Sequence, residues 1–179
     1  MITEKEVRII TQNQGFILSV KKAYEGKAFP FAVTCTLPIT FNYQKDSYIH
    51  LSYVIETPKE NYKFSEGKMD KNKPYTSYTV VVKSRYAEIV NLVTPKQLRK
   101  RGFASAILDI VSEIITEYNS LITTQKFMQL KEYTTIKFIT GYAKSCDEEP
   151  KLDDEQLKNF YERHGFDVDE KRNIMKNFI

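Results

Sequence analysis

Three cations, Arg99, Lys100 and Arg101, stand directly before Gly102, and Phe103, Ala104 and Ser105 open a long stretch of helical periodicity. Such a group needs no reactive side chain to do chemistry. A helix start presents backbone N–H groups that no intrahelical carbonyl takes, together with the positive end of the helix dipole. Glycine lets a ligand approach the backbone closely, and arginine adds charge-assisted donors. These features predict an anion site, with a phosphate-bearing ligand as its natural occupant.

The elements that must hold this turn can be read on both sides of it. Tyr86–Thr94 is apolar and strand-like, and Phe103, Ile107, Ile110, Val111, Ile114 and Tyr118 form one stripe of a helix over 103–118. Opposite that stripe lie Ser105, Asp109, Ser112, Glu113 and Thr116. Upstream, short strands are expected at Glu6–Thr11, Phe16–Val20, Phe29–Leu37, Tyr48–Glu56 and Tyr75–Lys83, the last able to pair with 48–56. Pro30 and Pro38 limit where the third can be central. The polar run 57–74 reads as a mobile hairpin loop, and Lys63–Lys73 within it as either an acceptor-side lid or a plain loop. Downstream, Lys126–Lys131 suggests a short helix, Thr134–Tyr142 a strand, and Val168 with Ile174–Phe178 closing strands. A helix over 153–164 is marked by Asp153 at its N-cap, Gln156 at the capping-box position, a Leu152–Leu157 staple and Gly165 just past its end.

Two stretches then carry a family resemblance. Arg99-Lys100-Arg101-Gly102-Phe103-Ala104 fits the pattern Arg/Gln-x-x-Gly-x-Gly/Ala, and Phe160-Tyr161-Glu162-Arg163-His164-Gly165-Phe166 fits Phe/Leu-Tyr-x-x-x-Gly-Phe. In this order, with a strand between them, they resemble the coenzyme-A loop and the C-terminal signature of the GNAT superfamily of N-acetyltransferases, over about residues 86–178. The bland alternative is a solvated basic turn capping one core helix and a glycine stop ending another.

The resemblance implies a single α+β domain over 1–179: a mixed, mostly antiparallel central sheet with flanking helices and a strand-rich N-terminal half. The 103–118 helix would pack on one sheet face. It further implies an acetyl-CoA-dependent N-acetyltransferase in which a primary amine attacks the thioester directly. Leu92, Val93 and Thr94 would pair with pantetheine as a neighbouring strand does. Arg99, Lys100, Arg101, Gly102, Phe103, Ala104 and Ser105 would hold the pyrophosphate. Tyr161 corresponds to the tyrosine that protonates the leaving thiolate, and Glu88, eleven residues before Arg99, to a glutamate that deprotonates the amine. By alternation Glu88 would share a face with Val90, Leu92 and Thr94. Asp154 stands where relatives often carry Asn, so a pantetheine contact from there is not carried over. The first half lacks the helix pair that usually builds the acceptor site, which leaves small amine, antibiotic, peptide terminus and protein lysine all open. An inactive acyl-CoA-binding or partner-binding module of the same fold is the alternative function.

Composition narrows the remaining choices. A net charge of +4 suits an anionic ligand yet falls short of a nucleic-acid footprint, although Lys96–Arg101 would be the place for such a contact. Cys35 and Cys146 lack disulfide or metal spacing and read as free thiols, so no metal cofactor and a cytoplasmic setting are expected. His50 and His164 read as structural. No membrane span or signal segment is expected, and the assembly is a monomer or homodimer. With 12 Tyr, 11 Phe and no Trp, the aromatic content favours pleated, half-buried surfaces.

Overall fold

The strand-forming segments alternate buried and solvent-facing residues, and that alternation builds two sheets around one long helix. A computed structural model of the chain describes residues 4–41, 49–59, 61–65, 68–69, 77–82, 85–94, 99–124, 133–143 and 153–178. In chain order the elements are β1 (Lys5–Gln12), β2 (Gly15–Tyr24), β3 (Phe31–Thr40), β4 (Ile49–His50), β5 (Ser52–Glu56), β6 (Asn61–Ser65), β7 (Lys68–Met69), β8 (Ser77–Val82), β9 (Tyr86–Val93), α1 (Phe103–Thr123), β10 (Phe138–Tyr142), α2 (Asp154–Arg163), β11 (Asp167–Val168) and β12 (Asn173–Asn177). The class is α+β and strand-rich.

The first sheet is an antiparallel run in the order β1-β2-β3-β5-β6-β7. The second has the order β11-β12-β10-β9-β8-β4 and contains one parallel pair, β9 with β10. Two sheets therefore stand where one central sheet was expected. The division falls inside the predicted strand 48–56, at the fully buried Leu51. Ile49–His50 pairs with β8 in the second sheet, as the sequence suggested, whereas Ser52–Glu56 pairs with β3 in the first. Pro38 sits within β3 opposite Ile17, but β5 pairs only with residues Ala32–Thr36, so its missing N–H lies beyond that ladder. Residues 61–65 and 68–69 form strands rather than the predicted loop. The expected helix at Lys126–Lys131, the Leu152 staple and Cys146 lie outside the described residues.

Helix α1 runs five residues past its predicted end. Its buried residues include Ala106, Leu108 and Ile115, which lie off the predicted stripe, so it is covered on more than one side. It packs on β2 and β3, where Asp109 accepts from Lys22 Nζ (2.7 Å) and the Tyr24 hydroxyl (2.8 Å). Lys5 Nζ adds bonds to Glu113 (3.0 Å) and Glu117 (2.7 Å). Toward the second sheet, Asn119 exchanges two hydrogen bonds with the Ile136 backbone (2.7 and 2.8 Å), and Lys176 on β12 donates to Ser112 Oγ (3.1 Å). The buried residues of both sheets and α1 form one continuous apolar cluster, from Phe16 and Leu18 through Ile107 and Ile114 to Ile139 and Ile174.

Candidate functional site

The predicted turn is built as a strained, uncapped helix start. Gly102 is the N-cap of α1 at φ +95°, ψ +3°, and Lys100 also takes a positive φ of +61°. Only glycine adopts the first of these conformations cheaply. Gly102 O accepts from Ala106 N (3.0 Å), no side chain caps the helix start, and no acidic residue lies in its first turn. Helix α2 is the opposite case. Asp153 accepts from Gln156 N and Gln156 answers to the Asp153 N–H, and Asp154 and Glu155 follow in the first turn. Carboxylates of its own first turn thus offset the N-terminus of α2, whereas the first turn of α1 contains none.

Those cations are individually placed. Arg99 Nε donates to Thr94 O (2.9 Å), tying the end of β9 to the turn. This occupies a carbonyl that was expected to face pantetheine. The Arg101 guanidinium lies 5.3 Å from the Phe29 ring centre, and Phe29 and Phe31 in turn pack edge-on against Phe103 (6.3 and 4.9 Å). Lys100 is exposed, and Ala104 and Ser105 are half-buried.

Strand β9 approaches this turn beyond the end of its ladder with β10. Its parallel pairing with β10 runs from Tyr86–Phe138 to Ile89–Gly141 and stops there, although β9 continues to Val93. Beyond the stop, Ala143 N turns away to Arg172 O (2.9 Å). On its other side β9 carries a bulge: Val80 pairs with Ile89 and Thr79 with Asn91, leaving Val90 as the extra residue. This corrects the alternation argument for Glu88. Before the bulge Glu88 lies on the face opposite buried Ala87 and Ile89; after it Leu92 returns to the core side and packs there. Glu88 therefore does not share a face with Leu92. Leu92 and Thr94 are half-buried at the open end of the strand.

The second signature folds as a capped helix end. His164 N and Phe166 N both donate to Tyr161 O (3.0 and 3.1 Å), Gly165 N donates to Glu162 O (3.0 Å), and Gly165 takes φ +79°. In this arrangement the residue after glycine closes over the residue that starts the last turn. The Phe166 and Tyr161 rings do so at 5.7 Å, and Phe160 packs on Tyr161 at 5.3 Å. Tyr161 is 5% exposed. Its spacing to Gly165 and Phe166 thus has a complete structural reason.

The two signatures meet. His164 Nε2 lies 3.1 Å from Ser105 Oγ, joining the C-terminus of α2 to the first turn of α1. Its ring rests on Phe160 at 4.9 Å. Burial, and after it the Lys176 charge, hold the His164 imidazole below its ordinary pKa, so it is neutral at pH 7. Lys176 Nζ also donates to His164 O (3.0 Å) and lies 5.7 Å from the Phe166 ring centre. A cation there offsets the negative end of α2. Sequence reasoning assigned neither His164 nor Lys176 to the site. Lys176 lies ten residues past the second motif and left no signal in the sequence.

An open depression of about 250 Å³ lies elsewhere, at the N-terminal end of α2, lined by Ala143, Asp154, Lys158, Val168, Asp169 and Arg172 among others. No predicted site residue lines it. Asp154 is engaged there by Arg172. Among the described residues no cluster of His, Cys, Asp and Glu could hold a metal ion, and no helix is long and apolar enough to cross a membrane. Comparison with protein-family models, with curated proteins and with solved structures gives no match.

Proposed function

We propose that the chain is an acetyl-CoA-dependent N-acetyltransferase of GNAT type, passing the acetyl group to a primary amine by direct attack in a ternary complex. One observation carries the reading: the parallel pair β9–β10 parts beyond Ile89–Gly141, directly before a basic glycine turn and an uncapped helix start. An extended amide-bearing ligand needs an unshared strand edge, and its pyrophosphate needs converging N–H donors. Both lie along one strand–turn–helix unit, and the Ser105–His164 contact draws the second signature to the same place. Leu92 and Val93 would offer the strand edge, and the backbone from Arg99 to Ser105 the phosphate donors. Holding amine and thioester together would supply much of the rate. Glu88 would take a proton from the amine, and Tyr161 would give one to the leaving thiolate. Cytoplasm is the proposed setting.

The burial of Tyr161 among Phe160 and Phe166 favours a second reading, an acyl-CoA-binding module without catalysis. Thermal unfolding with CoA, acetyl-CoA and a duplex oligonucleotide tests the shared part: CoA raises the melting temperature, and no shift at millimolar CoA removes both readings. Thiol release from acetyl-CoA with a pool of amines then separates them. Tyr161→Phe should lower kcat by about 10²-fold with CoA binding retained. An unchanged kcat removes the acid role.

A further inference from the structure

Strand β1 adds little to the core and much to the surface. Its eight residues run without a bulge along β2, and all but Ile9 are exposed, Val7 at 38% and Ile10 at 53%. Strand β3, by contrast, buries every second residue. Among the described residues β1 pairs with β2 alone, so it forms one edge of the first sheet. A two-residue turn, Asn13–Gln14, joins Gln12 to Gly15, and the residues that flank such a turn are hydrogen-bonded to each other. Along the antiparallel ladder this turns the N–H and C=O of Gln12, Ile10, Arg8 and Glu6 toward β2. Those of Thr11, Ile9, Val7 and Lys5 point to the open edge. A long, exposed edge without a bulge is a template for another strand.

The geometry points to a homodimer in which β1 pairs antiparallel with β1 of a second copy about a two-fold axis at Val7. In that register Val7 faces Val7 of the second copy, Lys5 faces Ile9, and Glu6 faces Arg8. Val7, Lys5 and Ile9 bring the outward backbone groups together. Glu6 and Arg8 take the non-hydrogen-bonded positions, where side chains stand closest. Within one chain the Arg8 guanidinium already touches Glu6 (2.5 Å), and both side chains are open to solvent, at 69% and 48%. Pairing two copies closes these four charges into one alternating cluster. Lys5 brings no stray charge, because Glu113 and Glu117 of α1 hold its ammonium (3.0 and 2.7 Å). The charges also select the register. An axis at Glu6 or at Arg8 sets like charges opposite each other, and an axis at Ile9 sets Arg8 against Ile10 and Glu6 against Gln12. Charged side chains commonly keep other strands off a sheet edge; here the same two fit a copy of themselves. The contact is isologous and occupies the edge on both chains, so assembly through it stops at two.

Sedimentation velocity of the full chain measures the assembly, with each variant checked for folding by circular dichroism. Wild type at about 0.1 mM should sediment as a particle of twice the 21.0 kDa chain mass. Arg8→Glu and Glu6→Arg each set like charges across the axis and should raise the dimer Kd at least about ten-fold. The double variant Glu6→Arg/Arg8→Glu restores opposite pairs and should recover the wild-type dimer. Val7→Cys places two thiols at a hydrogen-bonded pair with Cα atoms about 5.5 Å apart, within disulfide reach, and should give a cross-linked dimer on oxidation. Ile9→Cys should cross-link no more than wild type, since its two copies stand on opposite sides of the axis. A monomeric wild type, a dimer whose Kd ignores both single charge changes, or a double variant no tighter than the singles overturns the proposal. Cross-linking at Ile9→Cys in place of Val7→Cys overturns the axis at Val7.

Discussion

Replacing Gly102 separates the cost of the turn's shape from the loss of its ligand. A Cβ built on Gly102 meets only Phe31 ring carbons at 3.9 Å, an ordinary contact, so steric exclusion contributes nothing in the free protein. The penalty is conformational, because φ +95° is disfavoured for L-residues by roughly 1–2 kcal/mol. Gly102→Ala should therefore destabilise by about 1 kcal/mol, or about 2–4 °C for a chain of this size, and Gly102→Val by more. Gly102→Asn should fall between glycine and alanine, since Asn tolerates positive φ better. Gly102→Glu suffers the same strain but sets a carboxylate at a helix start that lacks one, which returns about 0.3–1 kcal/mol. It should fold at least as well as Gly102→Ala. Its ligand response should differ sharply. A ligand present at about 100 times its Kd stabilises by about 2.7 kcal/mol, and an acidic side chain in the anion site should remove that increment. Urea unfolding with and without CoA measures both quantities. If Gly102→Ala and Gly102→Val match wild type, the strain argument is wrong. If Gly102→Glu keeps the full CoA-induced stabilisation, the phosphate does not sit at this turn.

Two further outcomes follow from the packing around α1. Asp109→Ala leaves the half-buried Lys22 ammonium and the Tyr24 hydroxyl without their shared acceptor, and should cost about 1–3 kcal/mol; a loss below about 0.5 kcal/mol by urea unfolding would show that solvent replaces the carboxylate. His164 has a folded pKa below its unfolded value near 6.5, because burial and then Lys176 disfavour the imidazolium. The unfolded chain therefore binds the proton more readily, and the stability carried by this residue is present above pH 6.5 and is lost as pH falls through the folded pKa. His164→Gln should flatten that part of the pH–stability curve, and an identical slope in wild type and variant would contradict the assignment.

What could be read from the residues was local. The capping box Asp153–Gln156, the glycine stop at Gly165 and the stripe of α1 are written in side chains within a few positions of one another, and each stands where it was expected. The glycine turn and the helix start at Gly102 and Phe103 were legible for the same reason. The splitting of 48–56 at Leu51 was not, because its alternation is unbroken and only its partners decide which half joins which sheet. Tyr62 and Phe64 do alternate with Asn61, Lys63 and Ser65, but the polar, Pro- and Gly-containing sequence around them masked so short a strand, and β5 supplies the edge it pairs with. The Ser105–His164 contact joins residues 59 positions apart. No spacing rule reaches that far.

The bulge at Val90 shows why one irregularity matters more to the proposed site than any regular element. On a straight strand Glu88 and Leu92 would face the same way. Either the carboxylate would enter the core beside Ala87 and Ile89, at the cost of burying a charge, or Leu92 would leave it. One extra residue between Ile89 and Asn91 removes that conflict. It leaves Glu88 on the outer face and returns Leu92 to the core side. It also falls where the β10 ladder stops, so the strand changes its facing and loses its neighbour at the same point. On the proposed reading, one segment would offer an acid to the amine and a strand edge to the thioester-bearing ligand. Deleting Val90 should straighten the strand with Leu92 still on the core side, since Ile89 and Leu92 would then stand two positions apart, and should abolish CoA-induced stabilisation. If CoA-induced stabilisation survived that deletion, the bulge would have no part in the site.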